Sequence, residues 1–288
     1  MMGSCQIDKL FSRVEVPVQL EDAWKLGQTE NTCFVSGGTL LQANWEMGLA
    51  PPVNIISLES IAEMRTIVPI ILDGEKYIKI GALTTLTEGL QDPLIIKNAG
   101  ILSAACKNIA APAVRNRGTI GGNIASGIGD SIPALLALDT KLIIYENNRS
   151  FTVALEEWLN QRSTSIICSI LIPTNKVEVD MKKYFRKVGR RETFTAALVT
   201  VSAGCSVGND NRLKDVRLAI GGGQHRPKRL VENELLLEGT IATPDLLKSV
   251  YSTIFEEIES YNDTFATAKY RRTVATNLFI SFLKECIA

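Results

Sequence analysis

Two short glycine loops constrain this chain more than any other feature, because a fold has to find a use for both. One is Phe34-Val35-Ser36-Gly37-Gly38-Thr39, an apolar β-like run that ends in Gly-Gly-Thr; the other is Gly118-Thr119-Ile120-Gly121-Gly122-Asn123. Glycine lets the backbone pass close to a bound group with no side chain between them. The sequence therefore predicts amides that face outward, with hydroxyls beside them, as in sites that hold anionic oxygens. Neither loop has the G-x-x-x-x-G-K-[ST] pattern or the G-x-G-x-x-G spacing that binds phosphate from one loop alone. A single Gly-Gly reads as a turn. Two copies with matching chemistry suit one long diphosphate ligand clamped from two sides.

The 288 residues allow two domains or one large one. Lys+Arg and Asp+Glu both number 31, which argues against nucleic acid as a partner. No stretch is long and apolar enough for a membrane span, and Met1 to Leu10 lacks the pattern of a signal peptide, so a cytoplasmic protein is expected. The six cysteines include no C-x-x-C pair, and His225 is the one histidine. Metal sites, iron–sulfur clusters and histidine-assisted nucleophiles therefore lack their parts. No catalytic residue of the chain's own is expected, and its chemistry has to come from a bound group.

Patterning predicts a β-α-β unit first: strand Val14 to Val18, helix Leu20 to Gln28, and a strand at Phe34-Val35 that leads into the first glycine loop. Hairpins are expected around Asp73-Gly74 and Asn147-Asn148, and Thr84 or Thr85 is placed to cap a helix. Pro93 to Ile109 reads as one long helix, weakened in its middle by Asn98 and Gly100. Beyond a connector at 174–181, three strands are expected at Tyr184 to Val188, Ala197 to Val207 and Leu213 to Ile220. His225 is read as a loop residue, and helices follow at Pro244 to Ile258 and Ala266 to Cys286, with Arg271-Arg272 on a polar side. Strands followed by helices make this an α+β chain.

Ser36-Gly37-Gly38-Thr39, Ile80-Gly81-Ala82, Ile109-Ala110, the Arg115-Asn116-Arg117-Gly118-Thr119-Ile120-Gly121-Gly122-Asn123 run and Asp130 occur in the order seen in the FAD-binding medium subunits of molybdenum hydroxylases. The chain resembles that family, which includes xanthine dehydrogenase, carbon monoxide dehydrogenase and nicotinate dehydrogenase, from about Phe11 onward. The resemblance implies a p-cresol methylhydroxylase-type FAD-binding domain over 1–176, in subdomains of about 1–57 and 58–176. A small C-terminal domain with a three-stranded sheet and helices would cover 177–288. FAD would lie extended between the subdomains.

Carried over by position, the resemblance implies that Val35, Ser36, Gly37, Gly38, Thr39 and Leu40 line the diphosphate from one side and Thr119, Ile120, Gly121, Gly122 and Asn123 from the other. It also implies that Ile80 packs against the flavin ring, that Asp130 faces the cofactor, and that Lys187 or Arg186 brings a positive charge to it. Strand alternation favours Lys187. Asp130 can equally be read as a helix N-cap, and Arg115 and Arg117 as either solvated or phosphate-binding. Leu40 stands where the family often has a polar residue, and Ala125 to Gly129 is shorter than the family's segment.

The function implied is an electron-transfer subunit. It would work with a molybdopterin-binding large subunit and a [2Fe-2S] small subunit, with NAD as a possible acceptor. Arg190-Arg191-Glu192 leans toward xanthine dehydrogenases. A self-contained flavoprotein reductase of the same fold, and a scaffold subunit without cofactor, are the competing readings.

Overall fold

The computed structural model describes residues 12–161, 164–174, 181–190, 197–223 and 225–287. The expected domain boundary at 176/177, Cys5, Arg191 and Glu192 lie outside them. The chain begins with a small parallel sheet in the order β1-β3-β2, made of β1 (Arg13–Glu15), β2 (Thr32–Val35) and β3 (Asn54–Ser57). Parallel neighbours need crossovers. These are α1 (Leu20–Gly27), which buries Leu20, Ala23 and Trp24, and α2 (Thr39–Glu46). α2 starts directly off the first glycine loop.

A five-stranded sheet follows, ordered β4-β5-β8-β6-β7 from β4 (Ile67–Leu72), β5 (Glu75–Gly81), β6 (Lys141–Glu146), β7 (Arg149–Ala154) and β8 (Ile166–Pro173). Its two hairpins turn where the sequence places them. Asp73 and Gly74 have φ of 52° and 79°, and Asn147 and Asn148 of 51° and 59°. Positive φ at both central residues matches the right-handed twist of the flanking strands.

Helices accompany this sheet: α3 (Leu86–Gln91), α4 (Pro93–Asn98), α5 (Gly100–Asn108), α6 (Pro112–Arg115), α7 (Ile120–Ala125), α8 (Ile132–Ala137) and α9 (Leu155–Gln161), of which α4, α7 and α9 pack directly on its strands. Thr85 caps α3 in a reciprocal box: its hydroxyl accepts from the Glu88 amide at 3.1 Å, and the Glu88 carboxylate accepts from the Thr85 amide at 2.7 Å. Thr85→Ala is expected to cost about 1 kcal/mol, read as a melting temperature lower by roughly 2–4 °C. The long helix expected from Pro93 to Ile109 is two helices. Ala99, at φ −136° and ψ 43°, ends α4 and starts α5, and Asp92 caps the first by accepting from the amides of Leu94 and Ile95.

The last sheet is antiparallel, ordered β12-β11-β10-β9, with β9 (Lys182–Gly189), β10 (Ala197–Val207), β11 (Leu213–Gly222) and β12 (His225–Arg229). It has four strands where three were expected, because the segment that opens with His225 pairs with β11. α10 (Val231–Leu237), α11 (Pro244–Glu257) and α12 (Ala268–Ile287) cover it, with Phe279 and Phe282 buried in its core. Arg271 is a second correction. It is 4% exposed, donates to the Leu198 carbonyl and pairs with Asp263, so it does not lie on a polar helix face.

This sheet is tied to the preceding part by charge. Asp139, just past α8, accepts from Arg217 of β11 at 2.7 Å and from Arg229 of β12 at 2.7 Å, and Arg229 also pairs with Glu234. No helix among the described residues is long and apolar enough to cross a membrane.

Candidate functional site

The two glycine loops meet. Ser36 Oγ lies 2.9 Å from Thr119 Oγ1, across 83 residues of sequence. Gly37 packs so closely on the other loop that a Cβ there would sit 1.9 Å from the Arg117 carbonyl oxygen. Only a bare backbone fits.

The two loops differ in what they offer a ligand. The cap position of α2 is held by Gly38, which has φ 68° and no side chain to cap the helix; the first bond of the helix runs from the Gln42 amide to the Gly38 carbonyl at 2.9 Å. Among the described residues, the amides of Thr39, Leu40 and Leu41 therefore have no protein acceptor, and they carry the positive end of the helix dipole. Most amides of the second loop are already satisfied. Ile120 donates to the Thr84 carbonyl, Gly121 to the Ala82 carbonyl, Gly122 to the Thr119 hydroxyl and Asn123 to the Thr119 carbonyl. The outward-facing amides expected from both loops therefore come chiefly from the first. The second contributes the Thr119 hydroxyl and the open backbone of Gly122.

A cleft of about 470 Å³ opens beside the loops, lined by Val35, Ser36, Gly37, Gly38, Thr39, Leu40, Thr119, Gly122, Asn123 and Asp130. Ten of the fourteen expected site residues thus share one cleft. A second cleft of about 560 Å³ shares Ser36, Phe34, Gly122 and Ala125 with it and includes Gly121, Trp158 and Ile166. The two form the arms of one groove, with the loop junction as its waist. Such volumes are ordinary for small-molecule sites.

Three expected residues do not line either arm. Ile80 is completely buried, because alternation along β5 turns it into the core between Ile67 and Ile170, so its expected contact with a ring is corrected. Ile120 is equally enclosed. Lys187 stands behind the wall: its ammonium is 2.9 Å from Asp130 and donates to the Asn108 carbonyl at 3.1 Å. Arg186 lies over the Tyr184 ring at 5.0 Å.

Asp130 also accepts from the Thr200 hydroxyl at 3.0 Å, while Ser131 holds the cap position of α8, so the N-cap reading of Asp130 does not hold. Arg115 binds neither solvent alone nor the groove; it donates to the carbonyls of Ile109 and Ala110.

Ile109 and Ala110 line the cleft and were not expected to. Ala110 has φ 47°, an uncommon conformation for alanine, and the Arg115 guanidinium holds that turn. The sequence signal was their place in the family's run just before Arg115, where the resemblance quoted them without giving them a role at the site.

A family model described as the FAD binding domain in molybdopterin dehydrogenase matches residues 9–175, and one described as the CO dehydrogenase flavoprotein C-terminal domain matches residues 183–286. The nicotine 6-hydroxylase medium subunit of Paenarthrobacter nicotinovorans is 26% identical, with 92% of this chain and 94% of that protein covered. The glyceraldehyde dehydrogenase medium chain of Sulfolobus acidocaldarius is 28% identical, with 92% and 95% covered. A solved structure of carbon monoxide dehydrogenase from Hydrogenophaga pseudoflava shares the fold, at a TM-score of 0.85 and 22% identity over 96% of this chain and 97% of that one.

Proposed function

This chain belongs to the FAD-binding domain family of molybdopterin dehydrogenases and is the FAD-binding medium subunit of an oxidoreductase of the molybdenum hydroxylase family; from that premise we propose how it works and with what. It is an electron-transfer subunit that operates in a complex with a molybdopterin-binding large subunit and a [2Fe-2S] small subunit. Relatives named as medium chains, and one named as a subunit of a dehydrogenase complex, support this reading. The domain division runs at about 176/177, with an inner boundary near 57/58. A xanthine-like substrate at the large subunit, NAD as the final acceptor and a cytoplasmic location complete the proposal.

The residues present fit FAD. A dinucleotide needs two arms and an anion-binding waist, and the groove has both. The free amides at the start of α2 and the Ser36 and Thr119 hydroxyls would hold the diphosphate. The arm that holds Leu40, Ile109, Ala110 and Asp130 offers apolar walls and a carboxylate to the flavin ring. When bound, FAD would supply the redox chemistry that the chain's own side chains lack. The protein's own part is positional. Apolar walls exclude water, and the Asp130–Lys187 pair sets the charge at the far end of the arm.

The observation that carries the reading is the contact of the two glycine loops at 2.9 Å. An absorption spectrum of the chain expressed alone, with the cofactor released and identified, tests it. The expected result is a flavin spectrum, FAD on release, and no iron–sulfur shoulder. A colourless chain that takes up no added FAD would overturn it.

A further inference from the structure

Outside the groove, one pair of reactive side chains has no part in the reading above. Cys205 of β10 and Cys286 of α12 meet with their sulfurs 3.1 Å apart. The two residues lie 81 apart in sequence, and both are buried. A disulfide bond is about 2.05 Å long, so a closing movement of roughly 1 Å would join them.

Thiols packed singly in an apolar core behave as small hydrophobes. That describes Cys106 and Cys168, which are buried with no thiol contact among the described residues, burial pushing each up to about 12. Cys205 and Cys286 differ in having each other. The shared S–H hydrogen bond, aided by the Lys182 ammonium, lowers Cys286, and the same bond together with burial raises Cys205. Lys182 is held at the end of α12 by the Glu285 carbonyl.

Cys286 lies in the final turn of α12, which ends at Ile287. The last turn of a helix frays more easily than its middle, so a small oxidant can reach this thiol without global unfolding. Cys205, in the sheet behind it, is placed to complete the reaction.

We propose that Cys205 and Cys286 are an oxidation site: hydrogen peroxide converts the dithiol to a disulfide that ties α12 to β10. Peroxide first oxidises the Cys286 sulfur to a sulfenic acid, releasing one water. The Cys205 sulfur then attacks it, forming the S–S bond and expelling the hydroxyl as a second water. Two thiols and one peroxide give one disulfide and two waters. The peroxide is reduced by the two electrons that the sulfurs lose.

The test treats the full-length folded protein with hydrogen peroxide, alkylates the remaining thiols in denaturant and maps the peptides without reduction. The expected product is a Cys205–Cys286 cross-linked peptide, two hydrogens lighter than the sum of its parts, with Cys106 and Cys168 alkylated. The oxidised protein should melt roughly 5 °C or more higher, and dithiothreitol should reverse the shift. Recovery of both cysteines as alkylated thiols overturns the proposal, as does Cys286 as a sulfinic or sulfonic acid without a cross-link. Cys286→Ser should lose both the cross-link and the rise in melting temperature. If that variant does not fold, the wild-type peptide map decides alone.

Discussion

Gly37→Ala is expected to yield a folded subunit that no longer retains FAD. The added methyl would sit 1.9 Å from the Arg117 carbonyl oxygen and 2.6 Å from the Arg117 carbonyl carbon. Both are backbone atoms, so no side chain can rotate away. To reach an ordinary contact the loops must part by more than 1 Å, roughly the amount that breaks a hydrogen bond. That separates Ser36 from Thr119, now 2.9 Å apart, and widens the waist where the diphosphate would lie. A loss of about 3 kcal/mol of binding would weaken FAD affinity on the order of a hundredfold. The flavin-to-protein absorbance ratio after gel filtration, followed by titration with added FAD, measures it. Gly100→Ala is the control. Nothing lies within 4 Å of a Cβ there, and the residue begins α5, so flavin content should be unchanged. A Gly37→Ala protein with full flavin content would mean that loop contact is not what holds the cofactor.

The pairing of the two loops was legible because glycine, hydroxyl and apolar run recur together, and the backbone permission they encode is local. The hairpins at Asp73-Gly74 and Asn147-Asn148 were legible for the same reason. What escaped depends on which partner each group finds. The amides of Ile120 and Gly121 looked free in sequence, yet they are spent on Thr84 and Ala82 carbonyls that only the fold brings near. Ile80 and Ile109 are chemically alike. Strand alternation buries the first, and the turn at Ala110, clamped by Arg115, leaves the second in the cleft. Arg271 reads as a surface charge until Asp263 and the Leu198 carbonyl close around it. β12 was missed because His225 to Arg229 has a polar composition, with Pro227 inside it. That is tolerated in an edge strand and atypical of a central one.

The second large effect is expected at Lys187. Its side chain is 10% exposed and that of Asp130 14%, so the pair is screened weakly by solvent and salt. Lys187→Met removes the cation and leaves the Asp130 carboxylate with the Thr200 hydroxyl as its remaining partner among the described contacts. Breaking a buried pair from one side costs about 3–5 kcal/mol, because the surviving charge stays desolvated. In a chain of this size that corresponds to a melting temperature lower by roughly 10 °C. The double variant Asp130→Asn with Lys187→Met removes both charges and should recover at least half of the loss, since an amide can still accept from Thr200. A drop within about 2 °C for Lys187→Met alone would show that the pair behaves as a surface pair. The pair matters beyond its own energy because of where it stands. Asp130 follows α7 and lines the groove, whereas Lys187 and Thr200 belong to the last sheet. The contact therefore pins the far wall of the ligand arm to β9 and β10. A single variant that lowers stability should also loosen that arm, so flavin retention in the double variant separates the effect of the wall's position from that of its charge.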